Sequence, residues 1–352
     1  MKVFLFANMA LVAAMACGCS KSNDSAPITP PKQTTSDTTA TSTSTIAKGA
    51  DISWVTQMEA SGYKFYNKNG VQEDCFQLMK DIGFNSIRLR AWVNPADGWC
   101  NTKDVAAKAL RAKALGLKVL IDFHYSDSWA DPSKQTKPAA WVNDNFSQLL
   151  QDVYDYTYHV MDTLNSLGVT VTWAQAGNEV DDGILWNTGL ASDSMGNFAQ
   201  LITSGYNAVK AASPSTQVIV HVSNGYNNSL FRWVFDGLQT NNAKWDVIGM
   251  SLYPTASNWQ QYDSLCLANM NDMIARYNKP VMICEVGMPM ADSAACKAFL
   301  TDIIQKVQSV PDGKGLGVFY WEPEAYNNWQ SYGLGAFSVN GEPTEALDAF
   351  SN

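Results

Sequence analysis

Two glutamates stand where apolar strands run out. Glu179 closes "WAQAGNE" and Glu285 sits in "VMICEV". A carboxylate carried inward at the end of a buried strand is costly unless it is paired, protonated or in use. Two such carboxyls facing one another suit cleavage of a glycosidic bond. One, held protonated, donates to the leaving oxygen, and the other, ionised, attacks the anomeric carbon. A separation of about 5–5.5 Å would specify the retaining, double-displacement form of that reaction. Either Glu alone is more often a structural salt-bridge partner. What points to chemistry is the pair together with its company at other strand ends: Asp51, Arg88, Arg90, Asp122, His124, Asp127, Asn178, His221, Asn224, Tyr253, Trp321 and Glu322. His159 falls at a helical period, so a three-histidine metal site with His124 and His221 is not expected. Hydrolysis needs no cofactor, and none is expected.

These side chains need a frame that brings distant strands to one mouth. From Gly49 onward, short apolar runs alternate with amphipathic helices. The runs are "GADISWV", "SIRLRAW", "KVLIDFH", "VTVTWAQ", "TQVIVHV", "WDVIGMS", "PVMICEV" and "LGVFYWE", eight in all. Between them, Phe146 to Leu167 keeps a 3.6-residue apolar period stopped by Gly168. "VAAKALRAKALGLK" is stopped by Gly116, and a third helix follows Asp74 and ends at Gly83. Strand–helix alternation implies a parallel sheet of the α/β class, and eight units fit a (β/α)₈ TIM barrel over residues 48–352. No G-x-G-x-x-G follows an early strand, which argues against an open dinucleotide-binding sheet. In a barrel of this kind the active site lies at the C-terminal ends of the strands. Glu179 leaves strand four and Glu285 leaves strand seven, so both are expected at one mouth. Arg88 and Arg90, two apart, share a face of strand two. Asp51 is expected near the start of strand one.

Composition narrows the partners. The chain has 352 residues, 46% hydrophobic, with a net charge of −9, which argues against nucleic acid or an anionic membrane surface. Twelve Trp, 14 Tyr and 14 Phe serve either a large core or the stacking of sugar rings. Residues 1–19 read as a lipoprotein-type signal, too short to span a bilayer, with lipid attachment expected at Cys19 or Cys17. Residues 20–47 are rich in Ser, Thr and Pro and form a tether. The expected product is an exported, membrane-anchored monomer whose only membrane contact is its lipid. Five further cysteines, Cys75, Cys100, Cys266, Cys284 and Cys296, show no metal spacing, and Cys284 is expected as a buried thiol.

The segments "KGADISWV", "IRLRAWVNPADG", "LIDFHYSDSWADPSKQTKPAAW", "GNEVDDGILWNTG", "MSLYP" and "FYWEP" resemble those of the arabinogalactan endo-β-1,4-galactanases, glycoside hydrolase family 53, over about residues 48–350. The joint presence of "DFHYSDSWADP" and "GNEVDDGILWNTG" is the most specific part. The resemblance implies a retaining (β/α)₈ enzyme that cuts β-1,4-galactan, the side chain of pectic type I arabinogalactan, from within the chain. By motif, Glu179 matches the general acid/base and Glu285 the nucleophile. Asn178 matches the residue that binds the sugar 2-hydroxyl, and Arg88 the arginine that supports the nucleophile. His124, Tyr253 and Trp321 match residues lining the central subsite. Asp51, Arg90, Trp92, Asp127, Trp129 and His221 lie in family-like motifs and join the expected substrate-binding set. One departure stands out: fungal members usually place an aromatic shortly after the nucleophile, whereas the run here is "EVGMPMADSAAC". No dense Asp/Asn/Glu set matches the calcium sites of some bacterial members, so no metal is expected. Two rivals remain: a retaining glycanase of the same clan acting on mannan, xylan or cellulose, and a glycan-capture lipoprotein without catalysis. The carboxyl of Glu179 is expected to keep its proton beside a second carboxylate, and Arg88 to favour ionised Glu285.

Overall fold

The computed structural model describes residues 46–351. The expected signal, Cys17, Cys19 and the tether up to residue 45 lie outside them. Eight parallel strands close on themselves: β1 Ala47–Asp51, β2 Ser86–Ala91, β3 Lys118–Phe123, β4 Val171–Ala176, β5 Gln217–Val222, β6 Val247–Leu252, β7 Val281–Val286 and β8 Gly315–Trp321. β1 pairs with both β2 and β8, which shuts the barrel. Eight α-helices follow the strands: α1 Val55–Ala60, α2 Cys75–Ile82, α3 Thr102–Ala114, α4 Phe146–Ser166, α5 Ala191–Ala212, α6 Asn228–Thr240, α7 Trp259–Tyr277 and α8 Ser293–Ser309. The fold is the expected (β/α)₈ barrel.

Local signals set the helix ends. Asp74 caps α2 by accepting from the Gln77 N–H, and Gly83 ends it in a left-handed turn at φ +120°. A Cβ at Gly83 would come within 2.4 Å of the Phe350 carbonyl, so only glycine fits there. Asn145 and Gln148 form a reciprocal capping box at the start of α4. The helix stops at Ser166, as its period predicts.

Strand one differs from the expectation. Its hydrogen-bonded pairing begins at Ala47, opposite Gly317, and ends at Asp51, opposite Trp321. Asp51 is therefore the last residue of the strand, at the mouth, not near its start. Polar Ser53 and the helix that opens at Val55 cut the strand short of the predicted "ISWV". Ile46 is already buried, just before the expected domain start at 48.

The barrel interior has two levels. At the base, Ala47, Leu120, Trp173, Ile219, Val247, Met282, Cys284 and Phe319 pack together. Further toward the C-terminal ends of the strands stand Arg88, Asp122, Gln175, His221, Ser251 and Glu285, all buried. On β7 the change of level coincides with a bulge. Met250 pairs with Ile283, but the next residue, Ser251, pairs with Glu285. The extra residue, Cys284, stays in the apolar base while Glu285 joins the polar ring. All five described cysteines are free and buried.

Candidate active site

A cavity of about 230 Å³ opens at the C-terminal ends of the strands, lined by His124, Trp129, Ala130, Asp131, Asn178, Glu179, Tyr253, Glu285 and Trp321. Glu179 and Glu285 thus share one cavity. A larger cleft of about 460 Å³ lies at the other end of the barrel between Lys244 and Lys279, but no carboxylate lines it.

Glu179 reaches the cavity through a strained turn. β4 ends at Ala176, Gly177 turns at φ +97°, and Glu179 itself sits at φ +42°. A left-handed glutamate is uncommon and is tolerated where surrounding contacts impose it. Those contacts run in series. His221 Nδ1 lies 3.0 Å from both the Gln175 amide nitrogen and Asn178 Oδ1, and His221 Nε2 lies 2.8 Å from Ser251 Oγ. Ser251 in turn donates to Glu179 Oε1 at 2.7 Å. Burial, with the charge of Arg88, pushes the pKa of His221 well below the usual histidine range, so it is neutral.

Glu285 is held from both sides. Its Oε1 lies 2.9 Å from Arg88 Nη2, and its Oε2 accepts from the Tyr253 hydroxyl at 2.8 Å. Arg88 is 1% exposed and shared among four further partners: Asp51 at 2.6 Å, Gln175 at 2.7 Å, and Asp122 and Asn178 at 2.9 Å each. Such sharing fixes the guanidinium and keeps it charged in a dry interior.

Electrostatics separates the two carboxyls. Burial and then the charge of Glu285 push Glu179 well above the usual carboxylate range, with Ser251 acting against them. Burial also lifts Glu285, to about 7, against the pull of Arg88 and Tyr253. The expectation that Arg88 simply favours ionised Glu285 thus meets a larger opposing effect, desolvation. Of the two, Glu179 has the weaker acid's environment. When one of the pair ionises, the charge falls on Glu285.

The expected substrate-binding residues divide into groups. His124, Asn178, Tyr253, Trp129 and Trp321 line the cavity. His124 brings only its ring: Nε2 donates to Asp122 and Nδ1 accepts from the Ala130 N–H, so both nitrogens are engaged. Asn178 gives its oxygen to Arg88 and one N–H to the Ala130 carbonyl, leaving one N–H to offer. Arg88, Asp51 and His221 stand behind the wall. Asp51 is fully buried, with its oxygens on Arg88 and Ser53, so it orients Arg88 and does not face the cavity. Arg90 and Trp92 are also off the lining. Arg90 bonds Glu322 at 3.0 Å and lies 4.1 Å from the Trp129 ring centre and 5.0 Å from that of Trp92. It supports Trp129, which does line the cavity. Asp127 faces the backbone of the loop after β2 and of its own loop, accepting from the N–H groups of Asn94 and Ala139.

Sequence reasoning missed Gln175, Ser251, Asp131, Trp54 and Tyr332. Gln175 had a signal: a polar side chain two residues along from an apolar inward one, in "WAQ". Trp54 and Tyr332 pack on Trp321 at 5.2 and 4.6 Å between ring centres, a contact no local pattern encodes.

A sequence profile described as glycosyl hydrolase family 53 matches residues 47–350. An arabinogalactan endo-beta-1,4-galactanase of Humicola insolens is 34% identical over 302 residues, spanning 80% of this chain and 90% of the relative. A probable arabinogalactan endo-beta-1,4-galactanase A of Aspergillus terreus is 36% identical over 299 residues, 78% of this chain and 85% of that one. Among solved structures, a fungal beta-1,4-galactanase superposes with a TM-score of 0.80 at 31% identity, covering 86% of this chain and 98% of its own. The family 53 catalytic domain of Ignisphaera aggregans gives 0.78 at 28% identity, over 87% and 95%.

Proposed function

Because the chain belongs to glycosyl hydrolase family 53 and is a glycoside hydrolase, we propose that it cuts β-1,4-galactan from within the chain by double displacement. Glu285 is the nucleophile and Glu179 the general acid and base. The observation that carries this reading is the asymmetry of the pair within one cavity. Glu285 is oriented by Arg88 and Tyr253, and Glu179 is held through Ser251 and His221 with the higher pKa.

The steps follow from those contacts. Glu179 gives its proton to the glycosidic oxygen as the bond to the leaving sugar breaks, and a Glu285 oxygen bonds to the anomeric carbon. Forming the ester removes the charge of Glu285. That lowers the pKa of Glu179, which can then take a proton from water. The water attacks the same carbon, Glu285 leaves, and the configuration is retained. The free N–H of Asn178 serves the sugar 2-hydroxyl, a contact that strengthens in the oxocarbenium-like transition state. Trp321, backed by Trp54 and Tyr332, offers the central sugar a rigid face.

Galactan, in place of mannan, xylan or cellulose, is favoured by the relatives named galactanases. The capture-only alternative has no feature that supports it. Export as a lipoprotein through Cys19 or Cys17 belongs to the same reading, as do a tether over residues 20–47 and a monomeric catalytic domain over 48–352. The apolar run into those cysteines supports it. The test is digestion of galactan, mannan, xylan and cellulose, followed over time by chain-length analysis. The expected result is a broad early mixture of oligosaccharides from galactan alone. New reducing ends from a different polysaccharide, or only one short product from the first minute, would overturn the substrate or the internal cut respectively.

A further inference from the structure

We propose that Tyr226 and Tyr262, with the Asn224 amide and the Asp181 carboxylate, hold the leaving half of the substrate, the galactosyl residues on the reducing-end side of the bond being cut. This rests on the hydrolase reading above and assigns a surface which that reading leaves unused.

Position comes first. Tyr226 lies in the loop after β5, and Tyr262 in the first turns of α7, the helix after β6. β5 is the barrel neighbour of β4, and β6 comes next. Both rings therefore sit at the mouth on the side of Glu179. The acid protonates the leaving oxygen, so the departing sugars must lie on its side. The other aromatic set, Trp54, Trp92, Trp129 and Trp321, follows β1, β2, β3 and β8, on the opposite arc. After Glu285, where an aromatic could have served, the chain runs "VGMPMADSAAC" without one.

Structure and chemistry agree with that position. The two rings stack with centres 4.0 Å apart at 31°. Both are half-buried, resting on the core while keeping part of their surface open. The loop is fastened to the acid: the Gly225 N–H donates to the Ser251 carbonyl at 2.7 Å, and the Ser251 hydroxyl donates to Glu179. A polar edge runs from the rings to Asp181, two residues past Glu179. The Tyr226 hydroxyl bonds Asn224 Oδ1 at 3.1 Å, and Asn224 Nδ2 bonds Ser223 Oγ at 2.6 Å. The Ser223 N–H donates to Asp181 Oδ1 at 2.8 Å and the Ser223 hydroxyl to its Oδ2, which fixes the carboxylate in place. Asp181 is near enough for its charge to add to that on Glu179. Asn224 is exposed, is held at φ +52°, and keeps one amide hydrogen unclaimed. An aromatic face bordered by an amide and a carboxylate is what a galactosyl ring requires. Its C–H face stacks and its hydroxyls hydrogen-bond.

The test compares two substrates. Galactohexaose must place sugars on both sides of the cut; an aryl β-galactobioside has no sugar on the leaving side. Tyr226→Ala should lower the ratio of kcat/KM for the hexaose to that for the aryl substrate about tenfold, the loss of one good stacking contact. It should also shift cleavage of reducing-end-labelled hexaose toward the reducing end. Asn224→Gly, which keeps the left-handed backbone, should shift both readouts in the same direction by a smaller factor. An unchanged ratio with an unchanged cleavage pattern in both variants overturns the assignment, as does an equal loss on both substrates. Failure of the unmutated protein to cleave either substrate would instead remove the hydrolase reading, and is read before any variant is made.

Discussion

The base and the mouth of the barrel are built from the same strands, and the change from one to the other takes one or two residues. Leu120 gives way to Asp122, Trp173 to Gln175, Ile219 to His221, and Cys284 to Glu285. At the base, each inward side chain is apolar and its role is filled by volume alone. At the mouth, the side chains that succeed them are charged or polar and have named partners, with Arg88 beside them taking five. Polar groups in such a place are held at a cost that packing does not require. Residues retained against that cost point to function, whereas the base explains only stability.

Substitutions can break this comparison. The largest effect is expected at the mouth: Glu285→Ala or Glu179→Ala should lower turnover of unsubstituted galactan by about a thousandfold or more while the far-ultraviolet circular dichroism is unchanged. At the base the reverse is expected. Phe319→Ala removes a buried ring that packs on Trp173, and should cost about 3–5 kcal/mol by denaturant titration, with kcat of the folded fraction within about twofold. If Phe319→Ala abolished turnover in protein shown to be folded, the division between the two levels would not hold.

A third variant asks whether any buried carboxylate behaves like those at the mouth. Asp263 on α7 is fully buried and is not part of the cavity lining, and burial with the nearby Asp302 pushes its pKa up to about 9. The unfolded value is about 3.9. Between those values the folded state binds the extra proton, so stability falls as pH rises through the window. Asp263→Asn should leave Tm unchanged near pH 3.5 and raise it by roughly 2–4 °C at pH 8, with galactan turnover unaffected. The smallest effect sharpens the picture of the mouth. Ser251 favours the ionised form of Glu179. Ser251→Ala should therefore raise that pKa and move the alkaline limb of the kcat/KM profile upward by about half a unit.

The sequence made the barrel legible because strand and helix periods repeat eight times and helix ends carry local signals such as Asp74 and Gly83. It located Glu179 and Glu285 because each follows an apolar run. It did not reveal that Asp51, Asp127 and Arg90, which share the type and strand-end position of substrate-binding residues, stand off the cavity lining. Their partners, Arg88, the Asn94 and Ala139 amides, and Glu322, come from elsewhere in the chain. It also missed the bulge that separates Cys284 from Glu285, since a register shift belongs to the pairing with Ser251 and not to either strand alone.

The most direct measurement traps the covalent step. A 2-deoxy-2-fluoro-galactobioside with a good leaving group should glycosylate the protein once, releasing that leaving group, and peptide mass spectrometry should find the fluorinated disaccharide esterified to Glu285. Label on another residue would contradict the assignment. So would release of product with inverted anomeric configuration, observed by proton NMR in the first turnovers.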